Sequence, residues 1–436
     1  MTLGFIPVIF IKIRIAGCRT GVPDSCHYVG GRCPHLPLCE KMVVPPHINF
    51  LYTNIGRGHP FYLDGILEAL VRRGNIKLVK SESDVFDVSR GLSRFAWQAA
   101  RWMYRKGSSP GIVAAMYKKL RSSADYNRPG AILRLMGRDL RRRFSLDPNP
   151  VVVAHPTLVA ILKGRHGLIY QHGELVTPTE EVVAGASKVL VPTDGAAAPF
   201  IDFGYDSRDV VVTGLCIEPS LVRQAGDAFA ARLKRVGGDN PLIGTFFSSG
   251  AEPRRHIEKL VRAAASAASH GGKALLFAQR DGLLANQAAR GFTMKGIEFG
   301  SVDSRQFLPA DLPPALIVQY ASRREENGFM AQLFPMFDYL VAPSHERTNW
   351  ALGLGLPMFV VGPQIGPFAP LNCELLVHAG VAEQIDSNSA ADAFGERLNH
   401  LRATGKLVEM AKAGWGKYRI DGFDKIAEFL ITDFAG

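Results

Sequence analysis

Short apolar runs that alternate with helical patterns constrain the fold of this chain more than its other features do. From Pro46 onward these runs are rich in β-branched and aromatic residues, and each precedes a helix or a loop. Such runs are typical of parallel strands that helices cover on both faces. The predicted strands are INFLY (48–52), VVVAH (151–155), GLIYQ (167–171), KVLVP (188–192), DVVVT (209–213), PLIGTFF (241–247), KALLFA (273–278), ALIVQYA (315–321), DYLVAP (338–343) and PMFVVG (357–362).

The rhythm of strands and helices pauses once, over residues 214–240. With 436 residues the chain is long enough for two domains. Two blocks of βα units therefore predict an α/β fold in which two Rossmann-like, doubly wound domains face each other across a cleft. We place the first domain at residues 46–215 and the second at residues 216–436, with amphipathic helices over residues 389–432 at its end.

Residues 1–45 precede this pattern and lack its periodicity. They hold four of the six cysteines, namely Cys18, Cys26, Cys33 and Cys39. The spacings of these cysteines match no zinc motif. The tetrapeptide IAGC (15–18) is similar to a lipoprotein cleavage box, but Lys12 and Arg14 interrupt the apolar run before it. We expect residues 1–45 to be an N-terminal extension that is disordered or not native, in which residues 1–41 lie upstream of a natural start near Met42.

Positive charge is concentrated in residues 90–144. The whole chain has a net charge of +11, whereas this segment has 14 Lys and Arg against 2 Asp, or +12. Apolar and aromatic side chains lie among these cations: Phe95, Trp97, Trp102, Met103, Tyr104, Ile112, Met116 and Tyr117. This combination is typical of helices that bind an anionic membrane surface. The alternative is a packed core with a solvated basic face. We expect no nucleic acid partner because no known binding module is recognisable.

The stretch TNIGRGHPFYLDGIL (53–67) leads from the first predicted strand into a helix. Gly56 and Gly58 allow a tight turn and a close approach to a ligand, and His59 falls at the start of the helix, where Pro60 is well tolerated. A strand, a glycine loop and a helix N-terminus together predict a cradle for an anion or a substrate. An ordinary βα turn that needs glycine only for its geometry is the alternative.

A second loop of this kind follows the strand at residues 241–247. Ser248, Ser249 and Gly250 stand there, directly before a helical pattern. Two hydroxyls, free N–H groups and the helix dipole would bind a diphosphate without a metal. Ordinary N-capping by serine is the alternative.

Polar residues are densest after the strand at residues 338–343. They are Ser344, His345, Glu346, Arg347, Thr348 and Asn349, followed after the next strand by Gln364 and Asn372. The carboxyl ends of strands are where an α/β sheet binds its ligand. In the first block the same position holds QHGE (171–174), whose His172 and Glu174 either line the cleft or form a structural pair. His155, at the end of another strand, is either structural or lines the acceptor site.

The order of these motifs resembles the GT-B glycosyltransferases, and within them the branch that contains MurG, the monogalactosyldiacylglycerol synthases and the processive diacylglycerol glucosyltransferases. The similar features are G-x-G-H at residues 56–59, a phosphate loop at residues 248–250, and a polar cluster followed by G-x-P and N-x-x-x-L over residues 344–376. The stretch VVVTGLCIEPSL (210–221) is similar to the family's link between domains. The resemblance covers roughly residues 46–430 and implies the GT-B fold.

The resemblance also implies roles for single residues. His59 would accept the proton of the acceptor hydroxyl, with His172 and Glu174 as further catalytic candidates. Gly56, Gly58, Asn54 and His155 would form the acceptor side or its loop. The donor site would consist of Ser248, Ser249, Gly250, Glu346, Arg347, Thr348, Asn349, Gln364 and Asn372, with the phosphates at residues 248–250 and near Arg347.

Two departures from the family stand out. Asn54 takes the place of an aspartate in the plant lipid galactosyltransferases. Arg347 and Trp350 take the places of a threonine and a glutamate in the donor motif of the family. That glutamate normally holds the nucleotide ribose, so Glu346 or Asn349 replaces it or the donor differs. We expect Trp350 to be buried.

The sequence therefore predicts an enzyme, an inverting and metal-independent hexosyltransferase without a cofactor. It would move a sugar from a nucleotide sugar, most simply a UDP-sugar, to a lipid or lipid-linked acceptor. We expect it in the cytoplasm, peripheral on the inner face of the plasma membrane, because no long apolar run is present and Cys216 and Cys373 stand alone. The alternatives are a sugar-nucleotide epimerase of the same fold and a catalytically degenerate GT-B protein that binds nucleotide sugar or lipid.

Overall fold

Thirteen strands form two wholly parallel sheets in the part of the chain that the computed structural model describes, which is residues 47–55, 58–107, 126–303 and 311–434. Successive residues of a strand point to opposite faces of its sheet, and a separate apolar cluster covers each face. Burial on both faces explains why the strands are almost continuously apolar. The predicted α/β fold with two Rossmann-like domains is confirmed.

The first sheet has six strands in the order β2-β1-β3-β4-β5-β6. The strands are β1 Ile48–Tyr52, β2 Val79–Asp84, β3 Val151–Val153, β4 Leu168–Gln171, β5 Lys188–Val191 and β6 Val210–Val212. The helices of this part of the chain are α1 Gly58–Arg72, α2 Val85–Val88, α3 Gly91–Gly107, α4 Ala131–Met136, α5 Arg138–Phe144, α6 Pro156–Leu162 and α7 Asp194–Phe203, with 3-10 turns at Ile76–Leu78, Thr179–Glu181 and Ser207–Asp209.

The second sheet has seven strands in the order β13-β12-β11-β7-β8-β10-β9. The strands are β7 Ile243–Phe247, β8 Lys273–Gln279, β9 Phe299–Asp303, β10 Ala315–Tyr320, β11 Tyr339–Ala342, β12 Met358–Val361 and β13 Ala382–Ile385. The remaining helices are α8 Pro219–Val222, α9 Ala225–Val236, α10 Arg254–Ser269, α11 Leu283–Met294, α12 Arg323–Leu333, α13 Thr348–Gly353, α14 Phe368–His378, α15 Asn388–Asp392, α16 Phe394–Ala403, α17 Lys406–Ala413 and α18 Gly422–Phe434, with a 3-10 turn at Phe334–Met336.

All ten predicted strands are present, and the three that the sequence pattern missed are edge strands. β2 lies at one edge of the first sheet, whereas β9 and β13 form the two edges of the second. An edge strand has one hydrogen-bonded neighbour and tolerates polar residues, as in the sequence VKSESD of β2. The apolar runs used for prediction are therefore weak at these positions.

The last helix, α18, returns to the first domain and packs on α1. Phe423, Ile426 and Leu430 of α18 belong to the apolar cluster that also contains residues of β1 and α1. A Cβ on Gly65 of α1 would lie 2.2 Å from the Phe423 ring, so only glycine allows this close approach. The predicted boundary at residue 216 leaves α18 with the second domain, whereas its packing places it with the first.

The basic segment 90–144 is partly helical, and its residues 108–125 lie outside the described residues, as do Ile112, Met116 and Tyr117. Trp97 of α3 is 1% exposed and donates its Nε1–H to the Met136 carbonyl, so it is a core residue and unavailable to a membrane. Among the described residues, we find no helix with the length and apolarity needed to span a bilayer.

Candidate functional site

Three neighbouring strands of the first sheet carry the predicted residues of that domain. Asn54, Gly58 and His59 follow β1, His155 follows β3, and His172 and Glu174 follow β4. Because β1, β3 and β4 are adjacent and parallel, their carboxyl ends bring these side chains to one edge. Gly56 lies outside the described residues.

His59 is the second residue of α1 and is half-buried. Its Nδ1 lies 2.6 Å from the Ala154 carbonyl oxygen. A carbonyl only accepts hydrogen bonds, so Nδ1 carries the proton and Nε2 of the neutral ring is the nitrogen that can accept one. This hydrogen bond fixes the tautomer and the orientation that a general base needs.

His155 has a structural role that the sequence left open. Its Nδ1 accepts a hydrogen bond from the Thr157 amide at 3.1 Å and thereby caps α6, which begins with Pro156. The His155 ring centroid lies 4.2 Å from that of His59. His155 therefore anchors α6 and limits the positions available to the His59 ring.

His172 is buried, and both of its ring nitrogens have protein partners. Nε2 lies 3.1 Å from the Val176 carbonyl and 3.0 Å from the Thr177 hydroxyl, and Nδ1 lies 3.4 Å from the Tyr170 hydroxyl. Burial lowers the pKa of His172 to about 4, and the nearby His59 contributes to this depression. A neutral, fully bonded histidine of this kind organises the loop after β4.

Glu174 lies at the boundary between the two domains and is 6% exposed. Its Oε2 accepts a hydrogen bond from Asn372 Nδ2 of the second domain at 3.2 Å. Burial raises the pKa of the Glu174 carboxyl to about 8, and the nearby Glu346 adds to this rise, while the hydrogen bonds from Asn372 and Tyr62 oppose it. The carboxyl is therefore largely protonated at neutral pH.

The donor residues predicted in the second domain also follow three adjacent strands. Ser248, Ser249 and Gly250 follow β7, residues 344–349 follow β11, and Gln364 and Asn372 follow β12. Ser344 links the last two groups: its hydroxyl lies 2.8 Å from Gln364 Oε1, and its carbonyl accepts from Asn372 Nδ2 at 3.1 Å. The structure thus brings the whole predicted donor set to one edge of the second sheet.

Four buried atoms on the uncharged side chains of this donor set have no hydrogen-bond partner among the described residues. They are Ser248 Oγ, Asn349 Oδ1, Gln364 Nε2 and Asn372 Oδ1. Buried polar atoms are normally satisfied by protein, water or a ligand, and leaving one without a partner costs about 1–3 kcal/mol. Two acceptors, one donor and a hydroxyl at one edge fit a ligand that is rich in hydroxyl groups.

Arg347 has protein partners where the sequence predicted a phosphate. Its Nη2 donates to Glu326 Oε1 at 2.6 Å, and its Nη1 donates to Glu346 Oε1 at 3.1 Å. The guanidinium also lies 3.8 Å from the centroid of the Phe247 ring. Glu326 comes from the first turn of α12, where Ser322 caps the helix. Arg347 is therefore a buried counterion of two carboxylates.

Neighbours of Arg347 also have structural contacts. Thr348 donates its hydroxyl to the His345 carbonyl, and Asn349 donates Nδ2 to the Glu346 carbonyl, so both stabilise the turn before α13. Trp350 is 1% exposed, which confirms that it is buried, and its Nε1 donates to Glu218 Oε2 at 2.9 Å. The tryptophan that replaces the family's glutamate thus binds a carboxylate of the interdomain link.

Two groups of contacts join the domains across the cleft. Besides the bond between Asn372 and Glu174, Arg323 of α12 donates to Asp64 Oδ2 of α1 at 2.7 Å and to Asn54 Oδ1 at 3.1 Å. Asn54 in turn donates to Asp84, which caps α2. Sequence reasoning missed Arg323, Asp64 and Glu326 because isolated charged residues on helices carry no motif.

Loop contacts also position Gln364. Lys259 Nζ of α10 donates to the Gly362 carbonyl at 2.7 Å, and His256 Nε2 of the same helix donates to the Pro363 carbonyl at 2.8 Å. Burial lowers the pKa of His256 to about 4, so the imidazole is neutral. These bonds tie the loop after β12 to the helix that follows Ser248–Gly250, and they join two parts of the candidate donor site.

No protein-family model matches this chain, and no curated protein matches it. Solved structures do match. A protein from Listeria monocytogenes, provisionally described as a UDP-N-acetylglucosamine 2-epimerase, is 12% identical over 90% of this chain and 98% of its own, with a TM-score of 0.52. S. aureus MnaA, solved with UDP, is 12% identical over 89% of this chain and 96% of its own, with a TM-score of 0.50. A glycosyltransferase of kitacinnamycin is 15% identical over 90% of this chain and 100% of its own, with a TM-score of 0.45.

The first two of these proteins show the fold. At 12% identity, a match over about nine tenths of this chain and nearly all of each partner means that both domains and their order are shared. The likeness to the MurG branch, which rests on short motifs, stays a prediction.

Proposed function

We propose that this chain is a glycosyltransferase that moves a sugar from a nucleotide-sugar donor to a hydroxyl group of a lipid or lipid-linked acceptor. The donor lies at the carboxyl edge of the second sheet, and the acceptor approaches from the first domain. The observation that carries the proposal is that four buried polar atoms without a partner lie in the donor set, whose Asn372 bonds to Glu174 of the first domain, where His59 has the tautomer of a general base.

The polar side-chain atoms and main-chain N–H groups at the carboxyl edge of the second sheet support a nucleotide sugar as the donor. Sugar and ribose hydroxyls donate to Asn349 Oδ1 and Asn372 Oδ1 and accept from Gln364 Nε2. The diphosphate lies at Ser248–Gly250, where main-chain N–H groups precede α10. A protein of this fold has been solved with UDP, so UDP-sugars are the first donors to test.

Transfer then needs one proton to move. His59 Nε2 accepts the proton of the acceptor hydroxyl while its oxygen attacks the anomeric carbon of the sugar. The bond from that carbon to the diphosphate breaks, and the diphosphate leaves with the electron pair, which the N–H groups at Ser248–Gly250 stabilise. Attack on the face opposite the leaving group inverts the anomeric carbon.

A lipid acceptor is supported by one surface of the first domain, which we call the exposed stripe. It consists of Leu92, Phe95 and Trp102 of α3 and Ile132 of α4, which are 65%, 67%, 54% and 66% exposed. The three α3 residues share one helix face, and the opposite face is buried through Ser93 and Trp97. Exposed apolar side chains of this size, among the arginines of residues 90–144, fit an anionic bilayer at the inner face of the plasma membrane.

Donor binding and transfer test the proposal directly. We would titrate the purified chain with UDP- and GDP-sugars by calorimetry and then supply the bound donor, radiolabelled in its sugar, with lipid acceptors. Ser248→Ala and Gln364→Ala should each weaken donor binding by about 5- to 150-fold, the range for one lost hydrogen bond to a buried group. Asn399→Ala, an exposed position in the same domain, is the control. A parent chain that binds none of these donors contradicts the proposal.

One observation favours a second candidate, a sugar-nucleotide epimerase. His59 can accept a proton and the Glu174 carboxyl can donate one, and both lie at the same edge of the first sheet. Inversion of a carbon that bears an acidic C–H needs one group to remove the proton and a second to return a proton from the opposite face. Incubation of a UDP-sugar in D₂O without acceptor separates the two: an epimerase yields a second sugar nucleotide with deuterium on carbon, and a glycosyltransferase does not.

A further inference from the structure

We infer that the Glu174 carboxyl works in its protonated form, as a neutral hydrogen-bond donor to an oxygen of the bound sugar nucleotide, and that closure of the two domains creates this form. The inference rests on the proposed function because it takes a nucleotide sugar as the ligand of the cleft. It assigns to Glu174 a chemistry different from that of an ionised base.

The surroundings of Glu174 come from both domains. The residue follows β4 of the first domain, yet Asn372, 198 residues away in sequence, donates to its Oε2 at 3.2 Å. Glu346 comes from the loop after β11 of the second domain and already forms an ion pair with Arg347. Two carboxyl groups from opposite domains therefore lie near each other only when the domains are closed.

The other oxygen of Glu174 borders the start of α1. A Cβ on Gly58 would lie 3.7 Å from Glu174 Oε1. Apart from the chain neighbours of Gly58 and the backbone of α1, no other atom of the described residues would lie within 4 Å of that Cβ. Because Gly58 has no Cβ, no side chain at this position covers Oε1. A protonated carboxyl can accept from Asn372 through Oε2 and donate from Oε1 to a ligand oxygen.

The groups that face Glu174 decide its protonation. They are Tyr62 of α1, Glu181 of the same loop, Cys216 of the interdomain link, Glu346 and the Asn372 amide. The amide, the Tyr62 hydroxyl and the positive end of the α1 dipole favour the ionised form. Burial and the charge of Glu346 favour the protonated form, and they win, because the pKa of Glu174 is raised to about 8.

A neutral Glu174 has a clear advantage beside a nucleoside diphosphate. An ionised carboxylate would repel the phosphates in a site from which water is excluded, whereas a protonated one adds a hydrogen bond without charge. Opening of the cleft admits water to Glu174 and removes Glu346, and both changes favour ionisation.

The first test needs no ligand and compares the parent chain with Glu174→Gln. A carboxyl whose pKa is about 8 in the folded chain and about 4.3 in the unfolded chain contributes stability below pH 4 that is lost progressively as the pH rises to 8. The Gln side chain does not titrate. The Tm of Glu174→Gln should therefore rise relative to that of the parent between pH 5 and pH 9, whereas the Tm of the exposed control Glu180→Gln should keep a constant offset. A constant offset for Glu174→Gln overturns the inference.

The second test uses UDP as the probe. Calorimetric titration should show that the affinity of the parent for UDP falls as the pH rises from 7 to 9, because an ionised Glu174 repels the phosphates, whereas Glu174→Gln, which still binds, should keep its affinity over this range. Glu174→Gln should keep more turnover than Glu174→Ala, because the amide also donates a hydrogen bond, and Glu174→Ala should lose about 5- to 150-fold.

Different results separate this inference from the proposed function. Equal loss of turnover in Glu174→Gln and Glu174→Ala identifies Glu174 as an ionised base and overturns the inference while the proposed function stands. Failure of UDP and all UDP-sugars to bind the parent contradicts the proposed function, and the ligand-free comparison of Tm values then decides the protonation of Glu174 alone.

Discussion

His59 illustrates how a single side chain acquires a chemical role from its neighbours. Three histidines lie near the cleft. Both ring nitrogens of His172 have protein partners, and His155 uses its Nδ1 to cap a helix. Of these three histidines, His59 is the one whose described hydrogen bond places the proton on Nδ1, so that Nε2 of a half-buried ring can accept a proton. The proposal of His59 as general base therefore rests on tautomer and accessibility rather than on residue type.

Replacement of His59 by alanine should lower turnover roughly 100-fold or more, the usual effect of a lost general base. The dissociation constant of the donor should change little, because the donor residues lie on the other domain. Steady-state kinetics and calorimetric titration of the same preparation measure the two quantities. His172→Gln, which keeps a buried hydrogen-bonding side chain, is the matched control and should retain turnover if it folds. A fall in donor affinity as large as the fall in turnover would make His59 a binding residue.

Replacement of Arg347 by alanine should mainly destabilise the second domain. It leaves the Glu326 and Glu346 carboxylates buried without their counterion, and loss of one partner of a buried ion pair costs about 3–5 kcal/mol. Urea denaturation measures this loss in the free energy of unfolding. Arg397→Ala, which removes an exposed partner of Glu383, should cost about 0–1 kcal/mol.

The same variant tests the alternative role of Arg347. If Arg347→Ala keeps the stability of the parent but binds UDP-sugar far more weakly, the guanidinium contacts the phosphates, as the sequence suggested. Adding Glu326→Gln to Arg347→Ala should recover part of the lost stability, because it removes one of the two uncompensated carboxylates.

At the scale of elements, α3 has two faces with different partners. Ser93 and Trp97 bind the Met136 carbonyl and fix the helix on the first domain, whereas Phe95 and Trp102 remain exposed on the other face. Because one face of α3 is fixed by these hydrogen bonds, the exposed residues on its other face are held in defined positions. The positive charge of the surrounding segment is the reason for proposing an anionic lipid surface as the partner of the exposed stripe.

Combined replacement of Phe95 and Trp102 by serine should abolish binding to vesicles that contain anionic lipid. Sedimentation with phosphatidylglycerol vesicles should show that parent binding increases with anionic lipid and decreases with salt, because the arginine contribution is screened. Arg94→Gln should weaken it by about 5-fold, the equivalent of about 1 kcal/mol per cation. Phe203→Ser removes an exposed ring of α7 and should bind like the parent. Equal binding to neutral and anionic vesicles at every salt concentration would contradict a lipid-headgroup surface.

At the scale of the whole molecule, the closed cleft depends on a few polar contacts. Arg323 joins α12 of the second domain to Asp64 and Asn54 of the first, and Asn372 joins the second domain to Glu174. Few apolar contacts join the two domains: Leu175 of the loop after β4 packs into the cluster of the second sheet, and the His172 ring centroid lies 6.0 Å from that of Phe368. Relative motion of the domains is therefore expected where the link at residues 214–224 allows it. Opening must break these contacts to admit a substrate.

Replacement of Arg323 by alanine should shift the molecule toward an open cleft. The Arg323–Asp64 pair is half-exposed, so the coupling in a double-mutant cycle should be about 0.2–1 kcal/mol, enough to change the population of closed molecules. Small-angle X-ray scattering should show a larger radius of gyration without ligand, and the KM of the donor should rise with little change in kcat. Arg262→Ala breaks a pair of the same length within the second domain and should change neither quantity. If the radius of gyration does not change and the stability effects of the single Arg323 and Asp64 variants simply add, then Arg323 does not hold the cleft closed.

The sequence by itself determined the parallel sheets, the ten buried strands and the loops in which the candidate site lies. Burial of a strand on both faces produces a continuous apolar run, and a parallel sheet collects the carboxyl ends of its strands at one edge. For this reason residues 344–349, 364 and 372 could be grouped as a donor site before their contacts were known. The three missed strands are edge strands, where burial on fewer sides leaves a weaker apolar pattern.

Only the tertiary structure decided which side chains contact each other across long stretches of sequence. Arg347 pairs with Glu326, α18 returns to pack on α1, and Glu174 meets Asn372 across 198 residues of sequence. Local patterns reflect the period of a helix or a strand, and a polar side chain in a loop has no such period. Its protonation and partners follow from burial and from charges that distant segments bring close. Glu174 is therefore an ordinary glutamate in the sequence and a largely protonated carboxyl in the folded chain.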